Sequence, residues 1–201
     1  MSTNQHEASA DPSDEALMLR LRDGDDLALN KLMQRWEKPL VGFNLRYTNN
    51  RADAIDLAQE TFVRVYENRG RYRPKGKFST WMFTIAVNLC RNHARWKSRH
   101  PSISTVSANP DGEENDWSET ITDEAPQPDE SAIGSDEAQQ IRDAIQELPH
   151  TLRTVVLLFE FEGMSHAEIA KVLGCTTKAV ETRLYSARKA LRDKLAGLLE
   201  S

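Results

Sequence analysis

Apolar residues recur at intervals of three and four along most of the chain, and the strict alternation that marks a half-buried β-strand is missing. The pattern therefore predicts an all-α protein. In the first half it predicts helices around Leu17 and Leu21 and at about 25–47, 51–68 and 79–96.

The same periodicity selects the side chains that should line a shared core of this first helical group. From the second and third helices we expect inward positions at Leu27, Leu32, Trp36, Leu40, Phe43, Ile55, Ala58, Phe62, Val65 and Tyr66. Gly70, Pro74 and Gly76 interrupt the pattern and predict a loop before the fourth helix. Ser79 is the expected N-cap of that helix, whereas Asp11 and Pro12 suit the start of the first.

Composition divides the chain into four parts. Residues 101–134 combine Pro, Ser, Asn and acidic residues with little apolar periodicity, which is typical of a linker. The predicted parts are a disordered N-terminus at 1–12, a helical domain at 13–100, the acidic linker at 101–134 and a second helical domain at 135–197. We thus expect two small helical domains on a flexible tether.

The formal net charge of −5 hides an uneven distribution of charge. Residues 101–140 hold eleven acidic side chains and no Lys or Arg. The rest of the chain has 20 acidic and 26 basic side chains, so it is a basic protein with an acidic insert.

The strongest chemical signal lies between Asn68 and His100, where the chain holds nine Lys or Arg, five aromatic residues and no acidic residue. Cations attract phosphates, and flat rings stack on unpaired bases, so this segment points to nucleic acid and above all to a single strand. Candidate contacts in and beside the loop are Arg71, Arg73, Lys75, Lys77, Phe78 and Trp81. For Trp81 we expect a core position with one exposed edge.

One polar row interrupts the otherwise apolar fourth helix. Thr84, Asn88, Arg91, Asn92 and Arg95 follow one another at helical spacing and share a face. Amides can recognise base edges and arginines can hold phosphates, so the row and the basic loop together could form a pocket for an unstacked base. The alternative is that Asn88 and Asn92 bridge helices inside the core.

The second domain carries the signature of a helix-turn-helix. SHAE at 165–168 is a capping-box sequence, Gly174 supplies a left-handed exit, and Thr176 or Thr177 should cap the next helix. That helix is expected to bury Val180, Leu184, Ala187, Leu191 and Leu195. Its candidate DNA contacts, on the opposite face and its flanks, are Lys178, Thr182, Arg183, Tyr185, Ser186, Arg188 and Lys189. The alternative is a helical hairpin with a merely solvated polar face. His166 has no evident partner and is expected at the surface.

The third helix offers an acidic outer face formed by Asp53, Asp56, Gln59 and Glu60. Taken alone, this face could be solvated surface, a docking site for a basic protein or a metal-binding acid cluster. A metal-dependent nuclease would use three of these acids, Asp53, Asp56 and Glu60, but no His or Lys at suitable spacing completes such a site. We therefore expect no enzyme activity and no metal.

Cysteine usage and hydropathy bear on the compartment. Cys90 and Cys175 are far apart and fit reduced thiols of the cytosol. Cys90 and His93 share a helical face, but a zinc site needs more ligands. The first twelve residues lack the apolar core of a signal peptide, and no apolar run approaches the length of a membrane span. The sequence predicts a soluble cytoplasmic protein without cofactor.

Two ordered sets of motifs resemble one family. DLAQETF at 56–62, the basic loop and FSTWMFTIAVN at 78–88 are similar to the second conserved region of extracytoplasmic-function sigma factors. LP at 148–149, FEGMS at 161–165 and EIA at 168–170 resemble their fourth region. The resemblance covers about 14–100 and 135–195.

The resemblance implies a specificity subunit of bacterial RNA polymerase that has no chemistry of its own. In that family the face matching Asp56, Gln59 and Glu60 binds a coiled coil of the largest polymerase subunit. Residues matching Asn88 and Asn92, with the preceding loop, trap an unpaired base of the −10 element. The last helix recognises the −35 element, a role carried over to Thr182, Arg183, Tyr185 and Arg188. Glu181 and Ser186 stand where relatives often carry arginine. Family members are usually held by an anti-sigma factor.

Two alternatives remain at this level. The first is a helix-turn-helix regulator that binds duplex DNA without joining polymerase. This alternative explains the second domain, but it assigns no function to residues 56–60 or to the aromatic basic loop. The nuclease explains neither domain. For the acidic linker we hypothesise that residues 111–130 mimic nucleic acid and either run through the basic channel of polymerase or shield the DNA-binding faces until polymerase is bound.

Overall fold

The structure, a computed structural model, describes residues 11–100 and 132–199. In these parts the protein is all-α, as predicted. The helices are α1 (Asp14–Arg22), α2 (Leu27–Thr48), α3 (Arg51–Glu67), α4 (Phe78–Arg99), α5 (Ala132–Gln146), α6 (His150–Val156), α7 (His166–Leu173) and α8 (Thr177–Leu199). A 3₁₀ turn, Arg69–Arg71, follows α3, and a π-helical turn, Leu157–Phe161, continues α6.

Helices α1 to α4 pack around a core in which α2 and α4 supply the large rings. Phe43 and Phe83 are buried and meet edge to face, with ring centroids 5.2 Å apart. The buried side chain of Asn44 donates to the carbonyl of Ala54 (3.2 Å) and accepts from the thiol of Cys90 (3.2 Å), so α2, α3 and α4 share one satisfied polar group. Burial raises the pKa of Cys90 to about 12, so this thiol stays protonated.

Helices α5 to α8 form the second group, whose short helix α7 has the predicted ends. The Ser165 hydroxyl accepts from the N–H of Glu168 (3.3 Å), and the Glu168 carboxylate accepts from the N–H of Ser165 (2.8 Å), which confirms the capping box. Gly174 ends α7 at φ +61°, a conformation that suits glycine. Thr176 caps α8 by accepting from the N–H of Ala179 (3.2 Å).

Most of the expected core positions are buried or partly buried, but Leu27 is 72% exposed and that prediction is wrong. The side of α2 that faces the core is defined by Leu32, Leu40 and Phe43, whose side chains are fully buried. Four residues before Leu32 lies Ala28, so this residue faces the core at the first turn and Leu27 faces solvent.

Several boundaries also differ from the sequence-based expectation. Ser13, rather than Asp11 or Pro12, caps α1 by accepting from the N–H of Ala16 (3.2 Å). Helix α4 begins at Phe78, one residue before the expected cap. Helix α5 begins at Ala132 and α8 runs to Leu199. The bounds of the second domain, 135–197, remain a prediction. The predicted N-terminal disorder, and the linker hypothesis for 111–130, lie outside the described residues.

Candidate nucleic-acid interface

The basic loop between α3 and α4 is anchored by one aromatic side chain. Tyr72 is buried and packs edge-on against Trp81 of α4, with ring centroids 5.2 Å apart. Its neighbours in sequence point outward, so the four predicted cations of the loop are exposed: Arg71, Arg73, Lys75 and Lys77. The loop thus presents an array of positive charge from a fixed support.

A cavity of about 360 Å³ lies where this loop meets α4. The loop and the first turns of α4 contribute Tyr72, Arg73, Lys75, Gly76, Lys77, Thr80, Trp81 and Thr84. Cations at the rim and a half-buried indole in the wall give the cavity the chemistry that holds an unstacked base beside its phosphate. The predicted partial exposure of Trp81 is confirmed.

Phe78 does not belong to this surface. It is 0% exposed and packs between Trp36 of α2 and Tyr72 of the loop, at 6.4 Å from each ring. Because α4 starts at Phe78 rather than after Ser79, the ring turns into the core. The prediction that Phe78 contacts DNA is therefore wrong, because its ring is buried in the core.

The polar row of α4 is exposed for most of its length. Asn88, Arg91, Asn92 and Arg95 all face solvent, so the alternative of amides buried in the core does not hold for either Asn. Arg91 donates to the side-chain oxygen of Asn88. At the start of the row, Thr84 donates to the carbonyl of Thr80 (2.8 Å) and borders the cavity. The row therefore leads from the cavity along the outside of α4.

Trp96 of α4 is an aromatic side chain that the sequence analysis did not single out as a candidate contact. Its side chain is 46% exposed and stacks on His100, with ring centroids 5.1 Å apart. It borders a shallow pocket with Asn92, Arg95 and Arg99. Its position four residues after Asn92, on the flank of the polar row, was the signal available in the sequence.

The acidic face of α3 is smaller than predicted. Asp56 and Gln59 are exposed, and Glu60 accepts from Arg64 one turn later (2.7 Å). Asp53 instead turns toward α4, where its carboxylate lies 3.1 Å from Lys97 Nζ and 3.1 Å from His93 Nε2, the latter without hydrogen-bond geometry. Asp53 therefore fastens α3 to α4 and is not part of the outer face.

Among the described residues, no group of three or more His, Cys, Asp or Glu is placed to hold a metal ion. The neighbours of Asp53 are His93 and Lys97 of α4, a grouping that the sequence spacing did not predict. Within the same described parts, no helix is long and apolar enough to cross a membrane.

In the second group, α8 presents the predicted polar face. Exposed side chains on it are Lys178, Thr182, Tyr185, Ser186 and Lys189. Tyr185 is the most prominent, with 73% of its surface accessible. Glu181 is held 3.4 Å from Lys178, which partly offsets its negative charge. An exposed helix that follows a left-handed turn has the form that docks in a major groove.

Two arginines of α8 are held by contacts within the second group. Arg183 is half-buried and lies 3.6 Å from the sulfur of Cys175. Arg188 donates to Glu160 (2.9 Å) and lies over the ring of Phe159 at 5.2 Å. The same ring contacts His166 at 5.2 Å, so His166 has a partner that the sequence did not predict. Contacts within the second group therefore orient both arginines.

Comparison with known proteins identifies both groups. The model of sigma-70 region 2 matches residues 32–100, and the model of sigma-70 region 4 matches residues 138–191. The chain is 31% identical to the ECF RNA polymerase sigma-E factor of Haemophilus influenzae, over 93% of this chain and 97% of that protein. This chain belongs to the extracytoplasmic-function (ECF) sigma factors. These matches favour a sigma factor over the alternative of a regulator that never joins polymerase.

A further relative agrees with this assignment, and two solved structures share the fold. The sigma factor is 35% identical to the RNA polymerase sigma-H factor of Pseudomonas aeruginosa, over 92% of this chain and 95% of that one. Its fold resembles that of CnrH, solved in complex with the cytosolic domain of CnrY, with a TM-score of 0.68 and 24% identity over 92% of this chain and 99% of that chain. It also resembles the sigma factor RpoE of Bartonella quintana, solved with the anti-sigma factor NepR, with a TM-score of 0.60 and 20% identity over 83% and 96% of the two chains.

Proposed function

We propose that this sigma factor binds core RNA polymerase through the exposed face of α3 and brings it to promoters by contacting two DNA elements. The loop 69–77 and the polar row of α4 hold the separated strand of the −10 element. Helix α8 holds the duplex of the −35 element. The protein performs no bond chemistry itself; it supplies specificity and stabilises strand opening.

One observation carries this proposal. A single chain of the sigma family presents an exposed amide and arginine row beside a basic, aromatic-lined cavity, together with an exposed helix of a helix-turn-helix. The first surface suits an unpaired strand and the second suits a major groove. A duplex-binding regulator would need only the second surface.

The remaining partners follow from the family. Two structural relatives were solved with partner proteins, and one of these partners is an anti-sigma factor. We extend this to the present chain and propose an anti-sigma factor as its restraining partner. The site of action is the cytoplasm, where polymerase and promoter DNA are found. We assign region 2 functions to residues 13–100 and region 4 functions to 135–197.

Polymerase docking is the step that separates this function from simple DNA binding. The test is co-purification of the full-length protein with core polymerase, followed by a binding titration. Asp56→Arg reverses a charge on the outer face of α3 and is expected to weaken binding about tenfold or more, because it places like charges in the contact. Glu37→Arg makes the same change of charge at an exposed position of α2 and should bind as the unaltered protein does. Equal binding by all three proteins would contradict the assignment of α3.

A further inference from the structure

The two helical groups pack on each other through a single buried apolar cluster. Val87 of α4 belongs to the same cluster as Val155 of α6 and Ile169 of α7. At one edge of this packing, Lys77 Nζ lies 2.8 Å from a carboxylate oxygen of Glu168. Because closely packed apolar side chains leave little room for movement, the polar side chains beside the cluster are held close together.

A cavity of about 320 Å³ lies at the edge of the cluster, and Val87 forms part of its wall. The polar lining comes from both helical groups and consists of Arg91, Arg95, His150, Thr151, Thr154 and Arg183. Three guanidinium groups thus border one concave space. No carboxylate of a described residue lines it.

The three arginines of this cavity have no negatively charged partner within the described parts of the chain. Arg91 donates to the side-chain oxygen of Asn88, and Arg183 donates to a thiol. By contrast, Arg188 on the same helix as Arg183 pairs with Glu160 at 2.9 Å. The cavity therefore differs from its surroundings, because its positive charges are not neutralised by these residues.

The imidazole of His150 is affected by the positive potential of the cavity. Burial is the main cause of its lowered pKa, and Arg153, Arg91 and Arg95 lower it further. The Tyr47 hydroxyl lies 3.2 Å from Nδ1 of the same ring and so helps to orient it. Like charges held close together repel one another, so an anion in this space would be stabilised by all the surrounding cations.

The arrangement of the charges indicates the kind of anion that fits. Guanidinium groups bind phosphate oxygens through paired, charge-assisted hydrogen bonds, and here they approach one space from α4 and α8. The exposed hydroxyl of Thr151, on the first turn of α6, adds a neutral donor. A carboxylate brings one negative charge to three cations, whereas linked phosphates bring several charges in a small volume. A short chain of phosphates therefore suits the cavity better than an isolated carboxylate.

We propose that this cavity binds a compact oligophosphate, held by Arg91, Arg95 and Arg183. The chemistry recognised is a run of linked phosphate groups, which inorganic tripolyphosphate and the tail of a nucleoside triphosphate both present. Thr151 donates to an outer oxygen of this chain. The site goes beyond the proposed function, because its occupancy requires neither polymerase nor a promoter.

Isothermal titration calorimetry of the full-length protein with inorganic tripolyphosphate tests the site, in a buffer free of divalent cations. Arg95→Gln with Arg183→Gln removes two of the three charges. This double variant should bind roughly tenfold more weakly or worse, because charge-assisted contacts to the ligand are lost.

The matched control is Arg51→Gln with Arg192→Gln, which removes the same charges from exposed positions outside the cavity, one in each helical group. Its affinity should stay within about twofold, because salt screens exposed charges that are far from the ligand. Equal weakening in both double variants, or no measurable binding by the unaltered protein, would overturn the proposal.

Nuclear magnetic resonance of the imidazoles locates the bound anion in the unaltered protein. The chain holds five histidines, and the signal of His150 is assigned by its loss in His150→Gln. Tripolyphosphate should raise the pKa of His150, because a nearby anion stabilises the imidazolium. The resonance of His166, which lies outside the lining, should not shift with added ligand. Binding that leaves His150 unchanged would place the anion elsewhere and contradict the site.

Further ligands distinguish the sources of the phosphates. Tighter binding of adenosine triphosphate than of tripolyphosphate supports a nucleotide, and equal or weaker binding supports an inorganic oligophosphate. If a DNA oligonucleotide or hexaglutamate raises the pKa of His150 and tripolyphosphate does not, the cavity is a contact for DNA or for an acidic protein, and the proposal fails. None of these measurements involves polymerase, so failure of this site and failure of the proposed function are separate results.

Discussion

The carboxylate of Glu15, in α1, accepts a hydrogen bond from the backbone N–H of Phe78, the first residue of α4, at 2.8 Å. Lys77, at the N-cap position, makes no side-chain cap of its own. The bond from Phe78 is the main cause of the lowered pKa of Glu15. One carboxylate from α1 therefore fixes where the basic loop ends and α4 begins.

Removing this carboxylate should loosen the start of α4. Glu15→Ala is expected to lower the free energy of unfolding by about 1–2 kcal/mol, the usual effect of losing a cap. Because the folded-state pKa is lowered, the ionic part of this stabilisation is present above about pH 4.5 and is lost as pH falls through the folded-state value. Denaturant unfolding at pH 7 and at low pH measures both. Glu15→Gln keeps an acceptor and should lose less, so equal losses in the two variants would argue against a cap.

Glu162 should make stability depend on pH in the opposite sense. Burial raises the pKa of its carboxyl to about 7, while Arg46 lowers it by a smaller amount. A group with a raised folded-state pKa favours the folded state below its unfolded value and loses that contribution as pH rises toward 7. Glu162→Gln should therefore gain about 1–2 kcal/mol at pH 8, a figure reduced for partial exposure, and little at pH 4.5. Glu37→Gln, at an exposed position, serves as the control. If Glu162→Gln gave the same gain at both pH values, the raised pKa of the Glu162 carboxyl would be contradicted.

Asn88 tests the strand-holding surface. The side chain is exposed in the polar row and accepts from Arg91, so it can reach a base without disturbing the core. Asn88→Ala should weaken open-complex formation severalfold and leave duplex contact by α8 nearly intact. Permanganate reactivity of unpaired thymines and footprinting of the −35 region measure the two steps separately. Gln34→Ala, an exposed amide on α2, should change neither; equal loss of both steps in Asn88→Ala would contradict the assignment.

Arg183 tests how the −35 element is recognised. Its guanidinium is positioned beside Cys175, and pairing with a guanine would make Arg183→Ala cost about 1–3 kcal/mol on the matching promoter. Promoters changed at single −35 positions should show this loss at one position only. Lys189→Ala, at an exposed position of the same helix, should weaken all promoters alike. A uniform loss for Arg183→Ala would instead indicate a phosphate contact.

Elements that depend only on residues close together in the chain could be predicted from the sequence. Helix α7 is an example, because its capping box and the glycine at 174 lie within ten residues of each other. The outward face of α8 also followed from spacing alone, since Val180, Leu184 and Ala187 define the buried side. The family motifs supplied the order of the two domains.

What could not be predicted depends on partners distant in sequence. The start of α4 is set by Glu15, 63 residues earlier, so a local rule chose Ser79 and misplaced the ring of Phe78. Asp53 looked like surface because its partners, His93 and Lys97, come from another helix. The contact between Lys77 and Glu168 joins two domains and has no signature in either segment alone.

Run-off transcription tests the central claim most directly. Core polymerase is supplied with the full-length protein and a promoter library that varies both elements. The account predicts that defined transcripts start only when the protein is present and that they require matching sequences at −10 and −35. Transcripts of equal yield without the protein, or initiation that ignores both elements, would contradict it.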